Sequence, residues 1–260
     1  LNKYGDGVSL HKGTLSDPSS VEAAIKGCDA VVLNQWPSFT DHSEETREAG
    51  TLLDLAKAAG VKHVVHSTQL ALSDPDFINQ EAWTKSSLAP AVLGKYEVEQ
   101  LVRDSGIPWT ILRPGWFTSN ILPPILSFYF PNIAQGKIDT SYRPDAIIAL
   151  VVPEDIGAFA AAAFNAPEKF AGKALPVVSE WLTTAEILDQ FVKASGREYE
   201  VHYWTEEETA EMAKTNPIIL GQTLTHGLEK WAPMNEVESW GVPLTTFREF
   251  LETNKDKIPN

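Results

Sequence analysis

The residues best equipped for chemistry in this chain are Lys95, Ser67 and Thr68. Lys95 sits on a helical pattern (Lys95-Tyr96-Glu97-Val98-Glu99) that runs through Gly106-Ile107-Pro108 into an apolar strand and then Pro114-Gly115-Trp116-Phe117. Ser67 and Thr68 close a second apolar run. An amine and two hydroxyls at strand ends can orient a carbonyl oxygen or handle a proton, and partial desolvation tunes a lysine for that work. In open α/β sheets ligands bind in the crevice beyond the carboxyl ends of the strands, where these groups fall. Each also has a quieter reading. Lys95, Glu99 and Arg103 fit an i, i+4, i+8 surface ladder, and Ser67 and Thr68 fit a cap on the turn after their strand. Trp36, Trp83, Trp116, Phe128 and Tyr129, with Asn120, are candidates to line a pocket for a flat or greasy organic substrate, although aromatics more often serve packing.

The elements that must position these groups alternate regularly. Val8 to Lys12 reads as a short strand, Asp17-Pro18 opens a helix through Ile25, and Ala30 to Asn34 is an apolar strand. Glu44 to Ala59 reads as a long helix closed by Gly60, with Val61 to Ser67 as the next strand. The Lys95 helix, the strand Trp109 to Leu112, the Ala-rich helix Glu154 to Asn165 and the strand Ala174 to Val178 continue the rhythm. Such alternation predicts a parallel, doubly wound α/β sheet. Beyond it, Thr183 to Ser195, Thr205 to Lys214 and Thr245 to Asn254 read as helices, and Glu200 to Tyr203 as a strand, giving a small, mainly helical lobe. Ser119 to Tyr142, rich in aromatics and prolines, reads as a substrate-side cap.

Composition narrows the function classes. With 260 residues, 43% hydrophobic and 22% charged, the chain is ordinary globular sequence, and no run approaches the roughly 18 apolar residues that a membrane span requires. A net charge of -14 opposes binding to a phosphate backbone, so neither nucleic acid nor membrane is expected as a partner. Cys28 is the single cysteine, which excludes an internal disulfide and fits a cytoplasmic setting. His63 and His66 lie three apart on a strand, on opposite faces, so they are not expected to share a metal; one should stand at the strand mouth.

Several runs together resemble the NmrA-like branch of the atypical short-chain dehydrogenase/reductase family. They are Ala58-Ala59-Gly60-Val61-Lys62-His63-Val64-Val65-His66-Ser67, the Lys95 helix, Thr110-Ile111-Leu112-Arg113-Pro114-Gly115-Trp116-Phe117, Val152-Pro153-Glu154-Asp155-Ile156-Gly157 and Leu182-Thr183-Thr184-Ala185-Glu186. The resemblance implies a Rossmann-like fold that binds NADP or NAD, with NADP favoured, and an oxidoreductase acting on a small organic carbonyl or enone. It implies that Lys95 holds the nicotinamide ribose or handles a proton. By the same resemblance Asp17, Asn34, Gln35 and Trp36 contact adenine and ribose, while Pro114, Gly115 and Phe117 let the backbone approach the nicotinamide. Asp17 is equally a good helix N-cap. Ala91 stands four residues before Lys95, where many members of the wider family carry a tyrosine.

The family's first strand, glycine-rich turn, first helix and second strand have no counterpart in this sequence. Gly5-Asp6-Gly7 precedes a strand and lacks the third glycine, so it reads as an ordinary turn. In the order 3-2-1-4-5-6 the strands at Val8 and Ala30 would flank two empty positions, and completion by an upstream segment is the expectation. Residues 1–116 and 144–178 are expected to form an incomplete cofactor-binding domain, and 117–143 with 179–260 a substrate-side cap and C-terminal lobe. Two further functions stay open: a non-catalytic dinucleotide sensor with a regulatory protein partner, and a cofactor-independent enzyme using the emptied groove.

Overall fold

In the computed structural model, residues 7–224 and 226–259 are described; Gly5 and Asp6 of the first turn lie outside them. Four parallel strands form the main sheet in the order β1 (Ala30–Leu33), β2 (His63–Ser67), β3 (Trp109–Pro114) and β7 (Lys173–Val177). Before them comes α1 (Pro18–Ile25), and between them run α2 (His42–Ala58), α3 (Glu81–Thr84), α4 (Ala89–Asp104), β4 (Trp116–Phe117), α5 (Leu126–Tyr129), β5 (Lys137–Thr140), β6 (Ile147–Val151), α6 (Pro153–Asn165) and α7 (Pro167–Phe170). The remainder comprises β8 (Glu180–Thr183), α8 (Thr184–Ser195), β9 (Glu200–Tyr203), α9 (Glu206–Ala213), α10 (Pro217–Leu224), α11 (Met234–Ser239) and α12 (Phe247–Thr253).

Every residue of β2 is buried, as expected of a strand covered on both faces. Its alternating side chains serve two cores. Val64 joins Leu33 and Ile111 beneath Leu52 and Leu53 of α2 and Val98 and Val102 of α4. Val65 faces the other way, with Leu112, Leu175 and Val177, against Phe159 and Ala163 of α6. This is the doubly wound, Rossmann-like arrangement, and it holds the ends of β1, β2 and β3 side by side.

The expected strand at Val8 to Lys12 is not one. A strand exists through the neighbours its backbone bonds to, and this stretch pairs with none among the described residues; Leu10 is 71% exposed. Nor does it re-pair with β1, which forms the sheet edge with Val32 51% exposed. Ser119 to Tyr142, expected as a substrate-side cap, also contributes to a core. Ile121, Leu126, Phe130, Ile133 and Ile138 are buried in a further core with Phe191 of α8 and Phe247 and Phe250 of α12, and β5 pairs with β9. Of the segment's aromatics, Phe130 and Tyr142 are buried, whereas Pro123, Pro124 and Phe128 are exposed.

A second small sheet, β4-β6-β8, joins the two halves. Helices α8, α9 and α12 each begin with a capping box, Thr183/Glu186, Thr205/Glu208 and Thr246/Glu249. The last starts one residue later than the sequence suggested, because Thr245 is committed elsewhere. Its backbone N–H and hydroxyl donate to the buried Asp155 carboxylate at 2.9 and 2.8 Å, as does the Ser179 hydroxyl at 2.6 Å. Asp155, in the first turn of α6, thereby ties the C-terminal segment to the main sheet.

Candidate functional site

The carboxyl ends of β1, β2 and β3 open into a cleft of about 670 Å³. Asn34, Gln35 and Trp36 follow β1, Ser67 and Thr68 end β2, Trp116 and Phe117 follow β3, and Ala91 and Lys95 face in from α4. Beside it lies a chamber of about 240 Å³, walled by Leu70, Phe77, Val92, Gly115, Asn120 and Ile148 and sharing Thr68, Trp116 and Tyr129 with the cleft. The chamber is mostly apolar, with the Asn120 amide among its few polar groups.

Lys95 is more constrained than a surface ladder would leave it. Its Nζ donates to the Gln35 carbonyl at 2.8 Å and stands 2.8 Å from Oε1 of Glu45, a residue of α2 only 1% exposed. Burial pushes the Glu45 carboxyl above its ordinary value, and the Lys95 ammonium opposes that shift. Glu99, expected beside Lys95 on the same ladder, turns to the sheet instead. It takes two bonds from Arg113, at 3.0 and 2.7 Å, a longer one from Arg103 at 3.4 Å, and the Thr68 hydroxyl at 2.8 Å. Thr68 is thus already engaged, whereas the Ser67 hydroxyl makes no hydrogen bond among the described residues and lines the cleft.

Both strand histidines are buried, contrary to the expectation that one would reach the mouth. His63 packs edge-on to Phe164 with Nε2 2.9 Å from the Thr110 hydroxyl. His66 lies on the opposite face with Nδ1 3.0 Å from the Leu33 carbonyl. Burial holds it at about 4, the Leu33 carbonyl acting against that shift and the Lys95 charge with it, so the ring is neutral at ordinary pH.

Other expected site residues lie elsewhere. Asp17 caps α1, accepting from Ser19 N at 3.0 Å, and does not line the cleft. Trp83 is fully buried, stacked on Phe77 at 5.2 Å with its indole N–H donating to the Phe77 carbonyl, so it packs and does not line the site. Phe128 is 52% exposed and turned away. Pro114 and Gly115 line the chamber, and a Cβ at Gly115 would stand 2.2 Å from the Ala149 carbonyl oxygen, so the glycine also admits β6. Trp116 and Tyr129 do meet in the cleft wall, edge to face at 5.4 Å. Burial pushes the Tyr129 hydroxyl up to about 12, with Trp116 acting the other way, so it keeps its proton.

Sequence reasoning missed Glu45 and Tyr142, the latter also in the cleft wall. The one sequence signal for Glu45 was Gly94, a glycine inside a helix beside the lysine, which marks a close approach. A Cβ at Gly94 would lie 2.4 Å from Glu45 Oε2.

Comparison with known proteins agrees with this architecture. The chain is 32% identical over 223 residues to (4-alkanoyl-5-oxo-2,5-dihydrofuran-3-yl)methyl phosphate reductase of Streptomyces griseus, covering 84% of this chain and 70% of that protein. It is 30% identical to an NAD(P)H azoreductase of Xenophilus azovorans, covering 74% of this chain and 60% of the relative, so it spans less than two thirds of that protein. Among solved structures, the triphenylmethane reductase of Citrobacter sp. complexed with NADP(H) superposes with a TM-score of 0.69 at 19% identity, covering 95% of this chain and 84% of that one. NmrA, a negative transcriptional regulator in complex with NADP, superposes with a TM-score of 0.66 at 18% identity, covering 95% and 80%. Residues 3–251 match the NmrA-like family, and the chain belongs to it.

Proposed function

We propose that the protein is an NAD(P)-dependent oxidoreductase, with NADP favoured, that reduces a small, flat organic carbonyl or enone. The observation that carries this reading is the adjacency of the strand-end cleft holding Lys95 and Ser67 to the apolar chamber, with Thr68, Trp116 and Tyr129 in the wall of both. The reductase relatives at 30% identity or more support the class of reaction. The residues present fit the nicotinamide and its ribose: the cleft has the volume, the Lys95 ammonium can donate to a ribose hydroxyl, and the Ser67 hydroxyl is uncommitted. Among the described residues no glycine-rich turn opens a helix at the end of a strand, so the pyrophosphate has no cradle in them.

A reduced nicotinamide supplies hydride when bound. The chain's own contribution is placement. Lys95 and the 34–36 segment hold the ribose side, and the Trp116–Tyr129 wall and Asn120 hold the acceptor. Ser67 and the protonated Tyr129 hydroxyl stand ready to donate to the acceptor oxygen. Residues 1–116 and 144–178 carry the cofactor side in this scheme, and 117–143 with 179–260 the acceptor side.

The test is oxidation of NADPH by the full-length protein against a panel of quinones and enones, beside direct binding of NADPH. Acceptor-stimulated oxidation is expected. Binding without turnover would replace this reading with a dinucleotide sensor acting on a protein partner, and turnover of an acceptor with no nicotinamide would replace it with a cofactor-independent enzyme.

A further inference from the structure

An ammonium has three hydrogens to place. In Lys95 one is donated to the Gln35 carbonyl, the ammonium is ion-paired with Glu45 Oε1 at 2.8 Å, and the side chain still lines the cleft, where an oxygen can accept from it. The Glu45 partner is unusual for its cost, because a carboxylate 1% exposed loses nearly all its hydration. A pair of apolar side chains would hold α2 to α4 at least as well. The surroundings are nevertheless shaped around the carboxylate. Gly94, the residue before Lys95, has no side chain, and any Cβ there would meet Glu45 Oε2 at 2.4 Å. The Gln35 amide donates to the Glu45 backbone carbonyl at 3.0 Å and to Glu48 Oε2 at 3.2 Å, fixing the loop whose carbonyl receives Lys95. Other charges stand around the pair: Glu44 and Glu48 on α2, and Glu99 on α4, which is taken up by Arg113 and Arg103. The neighbouring His66 on β2 is neutral.

We propose that Glu45 is a positioning residue for Lys95, holding its ammonium at the cleft wall in the direction of an oxygen ligand. The identity of the ligand, a ribose hydroxyl or the oxygen of the acceptor, rests on the function proposed above; the pairing does not.

The experiment is trace acylation of the protein's amines without cofactor, read lysine by lysine by peptide mass spectrometry with the exposed Lys26 as internal reference. In the wild type, Lys95 is expected to react far more slowly than Lys26. In Glu45→Gln, Lys95 acylation relative to Lys26 should rise by about fivefold, because loss of the opposite charge frees the amine. Gly94→Ala, which displaces the carboxylate and keeps it, should raise the ratio as well, and this second variant serves if the first does not fold. In turnover, Glu45→Gln should lower kcat/KM for NADPH by about tenfold, with Glu45→Asp intermediate. Wild-type Lys95 reacting as fast as Lys26, or variants that fold with Lys95 reactivity unchanged, would reduce the pair to a helix-joining salt bridge. A changed acylation pattern in a protein without turnover would uphold the pairing and sink the reductase reading.

Discussion

Removing the Lys95 ammonium strands a carboxylate in the interior between α2 and α4. Lys95→Met is therefore expected to cost about 3 kcal/mol in denaturant unfolding, the range for a broken buried pair. Adding Glu45→Gln should return much of that loss. A surface ladder would have forecast almost none, since such pairs are worth tenths of a kcal/mol. His66 sets a pH dependence. Its value is 6.5 unfolded and about 4 folded, so between those limits the unfolded chain binds the extra proton and stability falls as pH falls. The difference amounts to roughly 3 kcal/mol, and comparison of His66→Gln with wild type across pH 4 to 7 should show the slope flattened in the variant. The two tryptophans separate site from core. Trp83→Ala should lose about 3 to 5 kcal/mol of stability with kcat/KM unchanged, whereas Trp116→Ala should raise the acceptor KM by about tenfold with NADPH affinity nearly constant. A sequence does not distinguish these residues, because each is an aromatic near a turn; only the partner that each meets, Phe77 or the cleft, decides.

At the scale of elements, the crossing of β3 into β4 is the most sensitive joint. Gly115→Ala would press a methyl against the Ala149 carbonyl and should destabilise by about 2 kcal/mol, typical of overpacking, with near-ultraviolet circular dichroism reporting the disturbed Trp116. Helices and central strands were legible in advance, since their periodicity and their Asp17 and Thr183 caps are local signals. Val8 to Lys12 misled because a strand-like pattern carries no information about whether a neighbour is present. The burial of Ile121, Phe130 and Ile138 was equally hidden, for it depends on α8 and α12 arriving from more than forty residues away. The outline of the cleft was legible at Ser67 and Trp116, which stand at strand ends, and at Lys95, which faces it from α4. It was illegible at Glu45, whose role exists only after α2 docks on α4.

For the molecule as a whole, family membership and the doubly wound fold follow from the sheet order and the match over residues 3–251. Among the described residues no helix is long and apolar enough to cross a membrane. The acidic surface, with a pI near 4.8, disfavours polyanionic ligands at long range, and the cleft concentrates its positive charge at one point, Lys95. The claim that unites these features is that the cleft carries hydride from a nicotinamide to an organic acceptor in the adjoining chamber. The most direct measurement uses NADPH deuterated at the transferring position, incubated with the full-length protein and an enone or quinone that stimulates its oxidation, followed by mass analysis of the product. The account predicts one deuterium in the reduced acceptor, with the rate lowered by about tenfold or more in Lys95→Met. Tight NADPH binding with no deuterium in any acceptor would contradict it.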